Sequence, residues 1–160
     1  MKMYSYRYLG IYILIALVTV VASFPILFSY ESMYLDDMMG YSQALDGKVA
    51  PNLLREYPLD AYIMYFAYKL MNISLVYARL YMATFLVLSN ITLFYIFNRL
   101  LKFPVLLSFV AAIFPAVLPS HEIRTAIPGF ITGSYTVPGS LFMFVSILFA
   151  YRYIKRKGGG

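Results

Sequence analysis

Ala61-Tyr62-Ile63-Met64-Tyr65-Phe66-Ala67-Tyr68-Lys69-Leu70-Met71 is the stretch on which the fold turns. It is one of five apolar runs in a chain of 160 residues, the others covering 9–29, 76–101, 104–119 and 137–153. Counted as a span, it makes five crossings and puts the two ends of the chain on opposite sides of a membrane. The run has 11 residues and holds Lys69, whereas a helix crossing the hydrocarbon core needs about 20. It reads instead as an amphipathic helix lying at the interface, introduced by Tyr57-Pro58-Leu59 with Asp60 as its N-cap. Four spans remain, at about 9–29, 77–99, 103–119 and 137–154.

The charges agree with four. Lys2, Arg7, Arg99, Lys102, Arg152, Lys155, Arg156 and Lys157 then fall on one side, with no acidic residue among them. The first loop on the other side, 30–76, carries Glu31, Asp36, Asp37, Asp46, Glu56 and Asp60. Lys and Arg mark the cytoplasmic side. Both termini are therefore expected in the cytoplasm, and the acidic loop outside it.

Composition supports the same class. Hydrophobic residues make up 62% and charged residues 12%, against about 25% charge in an ordinary soluble domain. The net charge of +6 invites a nucleic-acid reading. The basic residues flank apolar runs, however, which is where membrane anchors sit. Without cysteine there is no disulfide and no thiolate metal site. Run 9–29 is longer than a signal-peptide core of about 7–15 residues and reads as an uncleaved anchor. The expectation is an all-α polytopic membrane helical bundle. One membrane domain, 1–157, holds four transmembrane helices and two juxtamembrane helices in the first outer loop. Gly158-Gly159-Gly160 reads as a linker or fusion scar.

The first juxtamembrane helix is read over 34–45, where Leu35, Met38, Met39 and Leu45 share a face. Asp46-Gly47 ends it, and an extended piece is expected around Val49-Ala50-Pro51-Asn52. Seven tyrosines lie between Tyr30 and Tyr68, a residue suited to the headgroup level. Asn72 and Asn90 each open an Asn-x-Ser/Thr triplet. Asn90 lies mid-span, and both triplets are read as chance.

Several residues have chemical potential. Asp36-Asp37 is a carboxylate pair that could bind a divalent cation or act as a general base. It equally suits a loop that is acidic for topology and solubility. His121-Glu122 follows the third span on the same side and could bind metal or shuttle a proton, or be a solvated helix end. Arg79 heads the second span, where an arginine pairs with a phosphate or snorkels to headgroups. No charged residue falls at mid-depth in a span, which argues against a proton pump, voltage sensor or ion-coupled transporter. A single histidine excludes bis-histidine haem ligation within the chain.

The order of pieces resembles the N-terminal part of GT-C superfamily glycosyltransferases, which use polyprenyl-phosphate-linked sugars. The pieces are an anchor and a loop opening Tyr34-Leu35-Asp36-Asp37-Met38-Met39-Gly40-Tyr41-Ser42-Gln43-Ala44-Leu45-Asp46-Gly47. After these come Tyr57-Pro58-Leu59, Ala78-Arg79-Leu80, Asn98-Arg99-Leu100-Leu101 and Phe114-Pro115-Ala116-Val117-Leu118-Pro119. The resemblance implies that Asp36 or Asp37 is the general base that activates the acceptor, with Glu122 as the second acidic position. Arg79 or Arg124, with His121 nearby, would contact the carrier phosphate. In metal-dependent members, Mg or Mn would be held by such carboxylates, here Asp36, Asp37 and Glu122. Family members are much longer, so the chain would be a fragment, half of a split enzyme, or a small relative. Its expected partners are membrane lipid, the polyprenyl-phosphate carrier and further membrane subunits, and no nucleic acid. Two other classes remain open. One is a non-catalytic small subunit packing through Ala83, Ser89, Ala111 and Ala112. The other is a lipid-carrier translocase.

Overall fold

The computed structural model describes residues 2–27, 41–49, 51–56, 58–117 and 136–157, and no strand occurs among them. Among the described residues six helices form the framework: α1 (Lys2–Leu27), α2 (Pro51–Glu56), α3 (Pro58–Met71), α4 (Leu75–Tyr95), α5 (Val105–Val117) and α6 (Thr136–Lys157). A π-helical turn, Ile96–Leu100, extends α4, and residues 41–45 form a short helical piece. The all-helical class read from sequence is what the chain adopts, and each long apolar run coincides with a helix.

The helix boundaries follow from local chemistry. Ser74 is extended at φ −164° and its hydroxyl accepts from the Val76 N–H at 3.2 Å, capping one of the first free donors of α4. The foot of α4 closes through the Leu101 N–H to the Ile96 carbonyl at 3.0 Å and the Phe103 N–H to the Phe97 carbonyl at 2.9 Å. Phe97 and Phe103 stack at 5.5 Å across this turn, and Asn98 Nδ2 donates to the Phe103 carbonyl at 3.2 Å. The reversal passes through Lys102, which is left-handed at φ 57°. That conformation favours glycine. Lys102→Gly is expected to hold stability or raise it by up to about 1 kcal/mol, and Lys102→Val to lower it. Melting midpoints of the two variants check this; a lower midpoint for glycine than for valine would refute the strain.

Helix α4 is the hub, packing on α1, α3, α5 and α6. Toward its foot, Ile15 of α1, Phe94 of α4 and Ala112 of α5 form one core. Toward its head, Ile63, Met64, Ala67, Tyr68 and Met71 of α3 close on Ala78 of α4 and on Ala44. Asn90 Nδ2 donates to Thr19 Oγ1 at 3.0 Å, and the Ser89 and Ser140 hydroxyls lie 3.3 Å apart. The adjacent residues 89 and 90 thereby tie α4 to α6 and to α1.

Among the described residues, one helical stretch is long and apolar enough to cross a membrane, Val76–Leu100 with 25 residues, or about 37 Å. Tyr8–Ala22 and Val105–Val117 are shorter apolar helices. Helix α3, with 14 residues or about 21 Å, is too short to cross, as expected for the decisive run. One of its faces packs within the chain. The other, with Leu59, Tyr62 and Phe66, is apolar and exposed.

Three local expectations are corrected. Pro51 opens a helix instead of sitting in an extended piece, because the first helical position needs no N–H and suits the fixed φ of proline. The same rule starts α3 at Pro58, so Asp60 lies inside its first turn and is not the N-cap. The small residues assigned to partner contacts are used inside the chain: Ala83, Ser89 and Ala112 are buried and Ala111 is half-buried.

Candidate functional site

The candidate site gathers around the head of α4. Residues 41–45 dock there through Ala44, which is fully buried against α3 and Ala78. Tyr41 packs on the same cluster, and its hydroxyl donates to Asn72 Oδ1 at 3.1 Å, across 31 residues of chain. The helical piece then stops as the sequence suggests. The Gly47 N–H reaches the Ala44 carbonyl at 3.1 Å, the Lys48 N–H reaches the Gln43 carbonyl at 2.9 Å, and Gly47 takes φ +72°. Only glycine adopts this without cost, so Asp46-Gly47 is a left-handed helix stop.

The turn between α3 and α4 is equally defined. The Asn72 N–H bonds to the Tyr68 carbonyl at 3.2 Å and the Ser74 N–H to the Leu70 carbonyl at 2.9 Å. Lys69 Nζ lies 5.5 Å over the Tyr65 ring. In the N-terminal half of α4, Ala78 is fully buried, Tyr81 and Phe85 meet edge to face at 5.4 Å, and Arg79 is helical. The head of α4, the α3–α4 turn and residues 41–45 thus form one packed unit.

Tyr41→Phe removes the hydroxyl tie and keeps the ring. The bond is exposed, so the loss is expected to be local, about 0.5–1 kcal/mol. Faster amide exchange over 41–49 with an unchanged melting temperature is the expected signature. Unchanged exchange there would mean that Ala44 packing alone holds the segment.

Of the residues singled out from sequence, the backbone of Arg79 stands on α4, one residue past the buried Ala78. Asp36, Asp37, His121, Glu122 and Arg124 lie outside the described residues, as do 34–40 of the first juxtamembrane helix and the Gly158-Gly159-Gly160 tail. Asp36 and Asp37 belong to the chain entering Tyr41. His121, Glu122 and Arg124 belong to the chain between α5 and α6. Among the described residues, no three metal-ligating side chains converge.

The bundle also holds polar groups that sequence reasoning did not connect. Thr19, Ser89, Asn90 and Ser108 are buried, and none of the buried polar side chains described is charged. Ser108 is satisfied by the Pro104 carbonyl at 3.0 Å. The available signal was Asn90 itself, an amide in the middle of an apolar run. Near the foot of α4, the Arg99 guanidinium lies 4.3 Å over the Tyr8 ring and links α4 to α1.

Comparison with protein-family models, curated proteins and solved structures finds no match for this chain.

Proposed function

We propose that the chain is a four-span membrane protein with both termini cytoplasmic, and that it is a GT-C-like module of a glycosyltransferase acting on the outer face. The observation that carries the membrane reading is the hub helix. Its most apolar window is only 35% buried although four other helices pack on it. A soluble core helix of that length would be mostly covered. Leu106, Phe114 and Phe149, all exposed, extend the apolar surface to α5 and α6. The remaining spans are α1, α5 and α6, and α3 lies on the outer side with its exposed Leu59, Tyr62 and Phe66 toward lipid.

The glycosyl-transfer reading rests on the order of sequence pieces, supported by the packed unit at the head of α4. Three residues lie between Asp37 and the anchored Tyr41, four Cα steps or at most about 14 Å of extended chain. The acidic pair is thus tethered to the helix head that carries Arg79. In the proposed reaction, Asp36 or Asp37 takes the proton of an acceptor hydroxyl. The acceptor oxygen bonds to the anomeric carbon as the bond from that carbon to the carrier phosphate oxygen breaks, with inversion. The leaving phosphate gains charge, which Arg79 or Arg124 would offset. If Asp36, Asp37 and Glu122 hold a divalent cation such as Mg or Mn, it would add to that charge stabilisation.

The test is Asp36→Asn and Asp37→Asn, made separately, with transfer from a panel of polyprenyl-phosphate-linked sugars measured in membranes. One variant is expected to lose transfer while assembling normally. Transfer that persists in both removes the pair from catalysis. A subunit role is the second reading, favoured by the exposed apolar residues of the 13-residue α5. It predicts a defined membrane partner in mild detergent and no transfer by the isolated chain.

A further inference from the structure

Helix α6 ends in a segment, 149–157, in which every residue is exposed. Arg152, Lys155 and Arg156 recur at i, i+3 and i+4, share one face, and line an open recess of about 380 Å³. Beside that face, Ile147, Tyr151 and Ile154 recur at i, i+4 and i+7 as an exposed apolar stripe. Lys157 Nζ sits 4.8 Å over the Tyr153 ring, which holds a fourth cation at the same level. No Asp or Glu lies between Glu122 and Gly160.

We propose that this helix end is a binding site for anionic phospholipid headgroups, in which the phosphates seat in the recess between Arg152, Lys155 and Arg156. Charge complementarity identifies the occupant. Three cations lining one recess match a phosphate, and arginine forks match its oxygens in pairs. Geometry places it at a lipid surface. The apolar stripe meets acyl chain, and Tyr151 and Tyr153 stand where an apolar ring and a wet hydroxyl are both satisfied. A soluble polyanion would use the basic face and leave Ile147, Tyr151 and Ile154 in water. The site is separate from the outer-face chemistry proposed above and does not depend on it.

The experiment compares the full chain with R152Q/K155Q/R156Q/K157Q in bilayers of phosphatidylcholine containing spin-labelled phosphatidylglycerol or spin-labelled phosphatidylcholine. The fraction of motionally restricted label reports lipids held by the protein. The unaltered chain is expected to prefer phosphatidylglycerol severalfold. The quadruple variant is expected to hold both lipids equally. K48Q/R55Q, which removes exposed cations elsewhere, is expected to keep the preference. Equal preference in the quadruple variant and the unaltered chain overturns the proposal. So does a preference abolished by millimolar inorganic phosphate, which would assign the recess to a free anion. Should the quadruple variant fail to insert, a salt titration of the unaltered chain decides. Preference must fall as salt rises, because the pairing is screened; preference that persists at molar salt overturns it.

Discussion

On the membrane reading proposed above, Asn90→Asp is expected to destabilise the folded bundle by about 1–3 kcal/mol, the cost of leaving a buried polar group without its partner, and by more when the carboxyl is ionised. Asn90 is 2% exposed and lies near the middle of the 25-residue stretch Val76–Leu100. The substitution replaces an amide that donates to Thr19 Oγ1 with a group that, when ionised, only accepts. It therefore adds a buried charge and removes the donor. Asn90→Leu removes the donor without adding charge. Its cost should be about 1 kcal/mol, because hydrogen bonds between helices in lipid are individually modest. Thermal scans followed by the monodisperse fraction, for both variants and the unaltered chain, separate the two contributions. Equal midpoints for Asn90→Asp and the unaltered chain would show that residue 90 is not enclosed between α1 and α4.

Phe94→Ala is expected to cost about 2–3 kcal/mol in a bilayer, less than the roughly 3–5 kcal/mol of a water-soluble core. Phe94 is 1% exposed, meets the Tyr12 ring edge to face at 5.7 Å, and packs with Ile15 and Ala112. Two quantities enter the cost of truncation. One is the transfer of the lost ring surface from water, and the other is the cavity with its lost contacts. A helix surrounded by lipid tails loses little of the first, because the separated helices are also in an apolar solvent. The cavity and the aromatic pairing remain. Denaturation from lipid–detergent micelles by increasing SDS reads the difference. A loss below about 1 kcal/mol would mean that α1, α4 and α5 do not share this core. A loss above about 4 kcal/mol would point to an aqueous reference state and count against the membrane reading.

The outer segment shows how far local sequence carries. The stop at Asp46-Gly47 was legible because glycine and a left-handed turn belong together at a helix end. Pro51 and Pro58 were misplaced because proline serves both as breaker and as first helical residue, and the letters nearby do not separate those uses. The candidate acids were legible as a type of residue in a type of loop. Their surroundings were not, because a carboxylate becomes a base or a ligand through what stands opposite it.

Hydropathy and charge by themselves determined the helical class, the apolar runs and the shortness of 61–71. Each of these depends on residues adjacent in the chain. Only the tertiary structure decided that α4 is the hub and that Ala44 and Tyr41 dock on the α3–α4 turn. It alone also showed that Ala83, Ser89 and Ala112 face inward and that Asn90 meets Thr19 across 71 residues. The physical reason is the same in each case. An apolar helix can bury any of several faces, and lipid accepts most of them equally. The choice of face falls to the few small and polar groups that fit only one neighbour, and a run of letters does not name that neighbour.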